Sequence, residues 1–209
     1  MTTAGLHLTQ AFSVARAQYP ELSATWVRIA HRVSGRLPSS LLSVSLQRDG
    51  EVDLLVRSIE DEVAAQKEQT EGIGLFVPHY CAIMSSYWIG GVYETFRLLR
   101  ERHLADEGEV FLAVLGDLEL VRITLEKHEI AKDRTLKEPI SLVRQPPKND
   151  ASDHYSYIPG DDKRSHIMPT GLSSSGSVMW QVIDLKNNTS RWIERRSLSD
   201  LIIDLWKTQ

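Results

Sequence analysis

Cysteine is nearly absent: Cys81 is the one thiol in 209 residues, which excludes a disulfide framework and any cysteine-based zinc cage. Basic runs are missing too. Without a Lys/Arg-rich stretch, broad sequence-blind binding to duplex nucleic acid is disfavoured. The N-terminus, MTTAGLHLTQ, has no basic segment leading into an apolar one. No secretory signal is expected, the location expected is cytoplasmic, and the sequons at Asn187 and Asn188 are then left unread. The chain also lacks a Walker loop, a dinucleotide glycine fingerprint, a nucleophile elbow and an HExxH motif. No cofactor is expected.

Charge is absent from one long stretch, although a quarter of the chain is charged. Between Glu71 and Glu94 runs GIGLFVPHYCAIMSSYWIGGVY, residues 72–93, with no Asp, Glu, Lys or Arg. A helix apolar on all sides is expected to be buried on all sides, in a bundle core or in a membrane. The stretch is long enough to span, since about 20 residues suffice. Pro78, His79, Ser85, Ser86, its glycines and its polar-edged aromatics dilute its hydrophobicity, and no second candidate exists. The expectation is therefore the core of a soluble bundle and no membrane partner, with Cys81 as a small buried hydrophobe.

What is present points to a mainly α fold, a helical bundle around a buried central helix, with a small C-terminal β-hairpin plus helix. At 42% hydrophobic residues the chain can bury a core of domain size. The net charge of −4 is unevenly placed. Residues 1–48 carry five Arg against Glu21 alone, residues 49–150 have eight more acidic than basic groups, and the remainder is balanced. The basic cluster Arg28, His31, Arg32 and Arg36 reads as the solvated or partner-facing side of a helix.

Four segments are expected. Residues 1–48 form an N-terminal helical hairpin, with Thr9 and Ser23 as caps and Tyr19-Pro20 between the helices. Leu41 to Leu46 is ambiguous between strand and helix, before Asp49-Gly50. Residues 49–135 form the bundle core. In its first helix Val52, Leu55, Val56, Ile59 and Val63 make the inner stripe, with Arg57, Glu60, Asp61 and Glu62 outside. Gly72 and Gly74 break it, Pro78 starts the uncharged helix, which runs to about Leu104, and Asp106 with Glu109 caps another helix to about Lys132. That last helix has two apolar faces and, between them, a charged row of Glu119, Arg122, Glu126 and Glu129. Residues 136–177 read as a Pro/Ser-rich connector without regular structure. Residues 178–209 read as strands Val178 to Leu185 and Ser190 to Arg195, then a helix capped by Ser197 and Asp200.

An Arg followed by a His after five intervening residues occurs twice on these core helices, as Arg97 to His103 in RLLRERH and Arg122 to His128 in RITLEKH. Arg and His converging on one phosphodiester can act as charge clamp and general acid or base, because imidazole titrates near neutrality. With the Tyr-rich helix HYCAIMSSYWIGGVYETFRLL, these segments make residues 50–135 resemble the HEPN family. The resemblance implies a helical bundle, a homodimer, and a metal-independent endoribonuclease of the toxin–antitoxin or phage-defence type. Its Arg and His would face each other across a groove shared by two subunits, with RNA as substrate and an antitoxin-like protein as a possible partner. On that reading Arg122 and His128 are the catalytic pair with Glu126 beside them, and Arg97 and His103 bind substrate.

Other readings of the same residues stay open. Arg122 has Glu119 and Glu126 as helical neighbours and can simply hold the charged row together. A metal chelate from Glu126, His128, Glu129 and Asp133 is disfavoured, because a helical chelate needs ligands three or four residues apart on one face; no metal is expected. A non-catalytic bundle that binds a protein partner or another copy of itself is the main alternative, and a small-ligand sensor at the polar seam the weaker one. Trp180, Trp192 and Trp206 are expected to pack the C-terminal unit.

Overall fold

The computed structural model describes residues 3–37, 40–67, 76–143 and 154–207. Six helices, a short 3-10 turn and five short strands follow one another: α1 Ala4–Gln18, α2 Pro20–Arg36, α3 Leu42–Lys67, α4 Val77–Glu101, α5 Glu109–Lys127, the turn Asp133–Thr135, β1 Ile140–Val143, β2 His154–Tyr157, β3 Thr170–Leu172, β4 Val178–Asp184, β5 Thr189–Glu194 and α6 Arg195–Lys207. The mainly helical bundle with a small C-terminal sheet and terminal helix is thus the architecture. No helix among the described residues is long and apolar enough to cross a membrane.

The hub of the bundle is α3, which packs against α1, α2 and α4; α4 then packs against α5, and α6 closes on α2, α5 and the sheet. This corrects the expected hub. The uncharged helix α4 is not buried all round: Phe76 before it and Tyr80, Ile83 and Tyr87 on it are 60%, 56%, 38% and 76% exposed. The charged helix α3 packs against three neighbours, with Arg57 and Glu60 buried rather than facing solvent, and Asp53 buried beside them. Their charges are met by partners from α6, so a charged face that would ordinarily need water is satisfied inside. Glu62 does lie outward, as its spacing from the apolar stripe requires, whereas Asp61 is half-buried and accepts from Tyr19 and Arg196.

Leu42 to Leu46 is the first turn of α3, and the helix runs straight through Asp49 and Gly50. Gly50 is there because α2 crosses at that point: a Cβ would stand 2.5 Å from Cγ of Trp26. The expected break at Gly72 and Gly74 lies outside the described residues. Caps also differ from expectation. Thr3, not Thr9, caps α1, and the Thr9 hydroxyl instead donates to the Gly5 carbonyl. Pro20 starts α2 three residues before Ser23, fitting the first helical turn because it has no N–H to satisfy. Gly108, not Asp106, precedes α5, and α4 stops at Glu101, with His103 in the left-handed region. Ser197 lies inside α6, bonded to Glu194, because the helix begins at Arg195.

Residues 136–177 are not structureless. β1 pairs antiparallel with β2, Ile140 opposite Tyr157, and β3 joins β4 and β5 in a three-stranded sheet of order β3-β4-β5. Strands of three or four residues are too short to show alternation in a sequence rich in proline. Gly176 sits in the β3–β4 turn at φ 77° and lies directly on the backbone of α3 at Glu60 and Ala64, a contact no side chain allows. Cys81 is buried as expected, and burial pushes its thiol up to about 11. Trp180 and Trp206 are core residues, whereas Trp192 is exposed.

Candidate functional site

Four places concentrate polar or exposed side chains. The most buried is an ionic lattice between α3 and α6. Arg195 donates to both oxygens of Glu60 at 2.7 Å and to Asp53 at 2.5 Å, and its guanidinium lies 5.2 Å from the ring of Trp88. Asp53 also accepts from Trp26 Nε1, Arg57 Nε and the Ser199 hydroxyl, at 3.0, 3.1 and 2.7 Å, and Glu60 accepts from Ser177 at 2.6 Å. Burial works to raise the Asp53 pKa, but Arg195 and then Arg57 outweigh it and hold the carboxyl below its ordinary value. For Arg195 burial works downward, and Asp53 and Glu60 more than reverse it. Two carboxylates face two guanidiniums, and Asp200 meets Arg57 at 2.5 Å at the rim. Every lattice side chain has a partner and, apart from Asp200 at the rim, all are buried, so the lattice joins elements.

The second place holds the expected catalytic residues. Arg122 pairs with Glu126 at 2.9 Å and with Glu94 at 3.3 Å, and stacks 4.8 Å from the centre of the Tyr93 ring. His128 ends α5 in the left-handed conformation, exposed; its N–H donates to Thr124 and its carbonyl accepts from the His166 N–H at 2.7 Å. The helix therefore brings Arg122 and Glu126 together on one side, and among the described residues no hydrogen bond or ion pair joins the His128 ring to either. Glu129 and Asp133 are tied to Arg164 at 2.8 and 2.7 Å, and Glu119 to Lys132 at 2.9 Å. The charged row of α5 is thus held by ion pairs with flanking segments, and among the described residues no three His, Cys, Asp or Glu side chains are grouped to hold a metal.

The third place is the solvent end of α4. Arg97 and His103 line one cavity of about 460 Å³ with Tyr93, Glu107 and Glu119. Arg97 is held by Glu94 at 2.8 Å and by Glu101, and His103 lies 3.9 Å from Glu107. Here the expected Arg and His do share a site.

The fourth is the open side of α4. Phe76, Tyr80, Ile83 and Tyr87 recur at intervals of four, three and four, which places them in one stripe along the helix. The stripe leads into a groove of about 560 Å³ between α3, α4 and α5, lined by Leu42, Arg48, Tyr87, Glu94, Leu98 and Glu126. Small residues Ser86, Gly90 and Gly91 make the groove floor. Behind it Asp49 is buried, accepting from the Thr95 hydroxyl at 3.2 Å, with Arg48 3.9 Å away. Burial raises its pKa to about 6 against the opposing pull of Arg48. Periodicity placed these stripe residues on the uncharged helix but carried no sign of which side stays open, because every side of that helix is apolar. Compared with known proteins, the chain matches no family model, no curated protein and no solved structure.

Proposed function

We propose that the chain is an interaction module that pairs with a second copy of itself through the open face of α4. The stripe of Phe76, Tyr80, Ile83 and Tyr87 carries this reading. Contiguous exposed apolar side chains on a folded chain mark interaction surfaces, and aromatic residues, Tyr among them, are enriched at the centres of such surfaces. A two-fold pairing sets one patch against itself. An uncharged stripe meets its own copy without like charges opposed, whereas a charged face would not. The stripe is about 17 Å long at 1.5 Å per residue, which suits a modest interface at the lower end of the specific range. Sedimentation equilibrium is expected to give a dimer mass for the parent and a monomer mass for the double variant Tyr80→Glu, Tyr87→Glu, with unchanged circular dichroism. A parent that stays monomeric across the concentration range overturns the reading.

A second reading, a HEPN-like ribonuclease, is favoured by one observation: Arg97 and His103 line the same cavity. Arg122 with His128 lacks that support, since the two do not meet within the chain. The substrate-side pair is thereby the better candidate for RNA cleavage, with imidazole as acid or base. Purified parent is expected to shorten total RNA without added metal, and the Arg97→Ala, His103→Ala variant to lose roughly 100-fold or more in rate. Equal cleavage by this variant and the parent, or intact RNA with the parent, rejects it.

A further inference from the structure

A slot between the two small sheets has the features of a strand-binding site. Its volume is about 430 Å³, and its walls include the consecutive residues Ser141, Leu142 and Val143 of β1 on one side and Ile183, Asp184 and Leu185 at the end of β4 on the other. Side chains of consecutive strand residues point to opposite faces. A cavity lined by three in a row is therefore bordered by the edge of each strand rather than by a face.

Both edges are unpaired. Among the described residues β1 pairs with β2 alone, and β3 covers β4 only at Val178, Met179 and Trp180. One further bond, from the Gln181 N–H to the Pro169 carbonyl at 2.9 Å, ends that ladder. In an antiparallel ladder the main-chain groups of alternate residues face alternate neighbours. Since Gln181 faces the β3 side, Ile183 does too, and its N–H and C=O point off the sheet edge beyond the end of β3. Meanwhile Val182 and Asp184 face β5. An unpaired N–H and C=O side by side match the main chain of another strand.

His166 adds an independent sign. It lines the slot and is 6% exposed. Its N–H is fixed by the His128 carbonyl and its Nδ1 by the Tyr155 hydroxyl, both at 2.7 Å, so the ring is held in place. Its Nε2 is buried and, among the described residues, has no partner. A buried polar atom without a partner costs free energy that a bound group can recover. Burial favours the neutral ring.

The slot also specifies the charge of its occupant. Among the described residues Asp184 is its only Asp, Glu, Lys or Arg, and that carboxylate is already taken by the Lys186 and Asn187 N–H groups and by the Asn187 side chain at 2.8 Å. With a neutral imidazole and a satisfied carboxylate, nothing in the slot compensates a charged side chain. Leu142, Val143, Pro169, Ile183 and Leu185 favour apolar ones.

We propose that this slot takes an extended, uncharged peptide segment of a partner protein, which adds a strand along the free edge of β4 and hydrogen-bonds His166 Nε2. This site lies on different residues from the α4 stripe, so the monomeric Tyr80→Glu, Tyr87→Glu variant is used as bait and dimerisation does not enter the result. Random displayed peptides of about eight residues, an ordinary strand length, are selected on this bait, and an enriched peptide is synthesised with both ends capped. Expected results are slower exchange of the Ile183 amide, a shifted His166 Nε2 resonance, and affinity about tenfold weaker in Ile183→Pro and in His166→Phe, the loss of roughly one hydrogen bond each. Proline at 183 removes only the N–H that faces away from β5, and edge positions tolerate it. Should either variant melt early, exchange at Ile183 in the otherwise unaltered bait decides. No enrichment over an unrelated bait, unchanged exchange at Ile183, or equal affinity for folded variants overturns the proposal. So does a parent dimer that Ile183→Pro alone converts to monomer, because the occupant would then be a second copy.

Discussion

Replacing Arg195 with methionine is expected to cost about 3–5 kcal/mol, the usual loss when one partner of a buried ion pair is removed. Arg195 makes three hydrogen bonds to Glu60 and Asp53 with no solvent contact, and it stacks near Trp88. Methionine fills much of the volume but leaves Asp53 with Arg57 and Glu60 with the Ser177 hydroxyl alone among the described residues. A domain of this size is stable by roughly 5–15 kcal/mol, so the variant should melt roughly 6–20 °C lower, at about 2–4 °C per kcal/mol. Thermal unfolding followed by circular dichroism measures it.

Two controls separate charge from shape. Arg97→Met removes a surface arginine that also has two carboxylate partners, and its effect should be much the smaller of the two because surface pairs contribute little. Adding Glu60→Gln to Arg195→Met restores a balance of Asp53 with Arg57, and should recover roughly 1–3 kcal/mol through coupling of neighbouring sites. Raising the salt concentration should leave the Arg195 effect nearly unchanged, since buried pairs are poorly screened. A single variant within 1 kcal/mol of the parent, by contrast, would mean that the lattice contributes no more than a surface pair does.

The same lattice explains what could and could not be read from the chain. Helices α1, α2, α4, α5 and α6 and α3 from Val52 onward followed from apolar spacing, the Tyr19-Pro20 break and Pro78, and β4 with β5 followed from alternation around the turn at Lys186 to Thr189. Which helix lies at the centre did not follow. Asp53, Arg57 and Glu60 carry charge, and spacing alone assigns charge to solvent; their partner Arg195 is 142 residues away from Asp53 and 135 from Glu60. Nothing local announces so distant a match. The open stripe on α4 was hidden for the opposite reason, since a helix without charges shows no polar side. At the candidate sites the order along α5 placed Arg122 beside Glu126, but His128 leaves the helical path as its left-handed terminus. His166 gave no signal, because it follows a proline-rich stretch, and only the short pairing of β3 exposes the strand edge beside it.

Asp49→Asn is expected to stabilise the protein at neutral pH. Asp49 is buried beside Gly91 at the floor of the α3–α4 groove, where a Cβ on Gly91 would stand 2.7 Å from its Oδ1. Burial lifts its pKa from the ordinary 3.8 to about 6, with Arg48 and the Thr95 hydroxyl pulling the other way. A carboxyl whose folded pKa exceeds its unfolded value binds its proton more tightly when folded. It therefore costs stability above the folded value, and the cost vanishes as pH falls below the unfolded one. At about 1.4 kcal/mol per pH unit, the penalty at pH 7 is roughly 3 kcal/mol. Asparagine keeps an oxygen to accept from Thr95 and carries no charge. The melting temperature of Asp49→Asn should therefore lie above that of the parent at pH 7 to 8, and the gap should close between about pH 6 and pH 4. Carboxylates held below their usual range, such as Asp53, act in the opposite sense in both proteins and cancel in the difference. A variant less stable than the parent at pH 7, or a gap that does not change with pH, shows that Asp49 is not held against its charge.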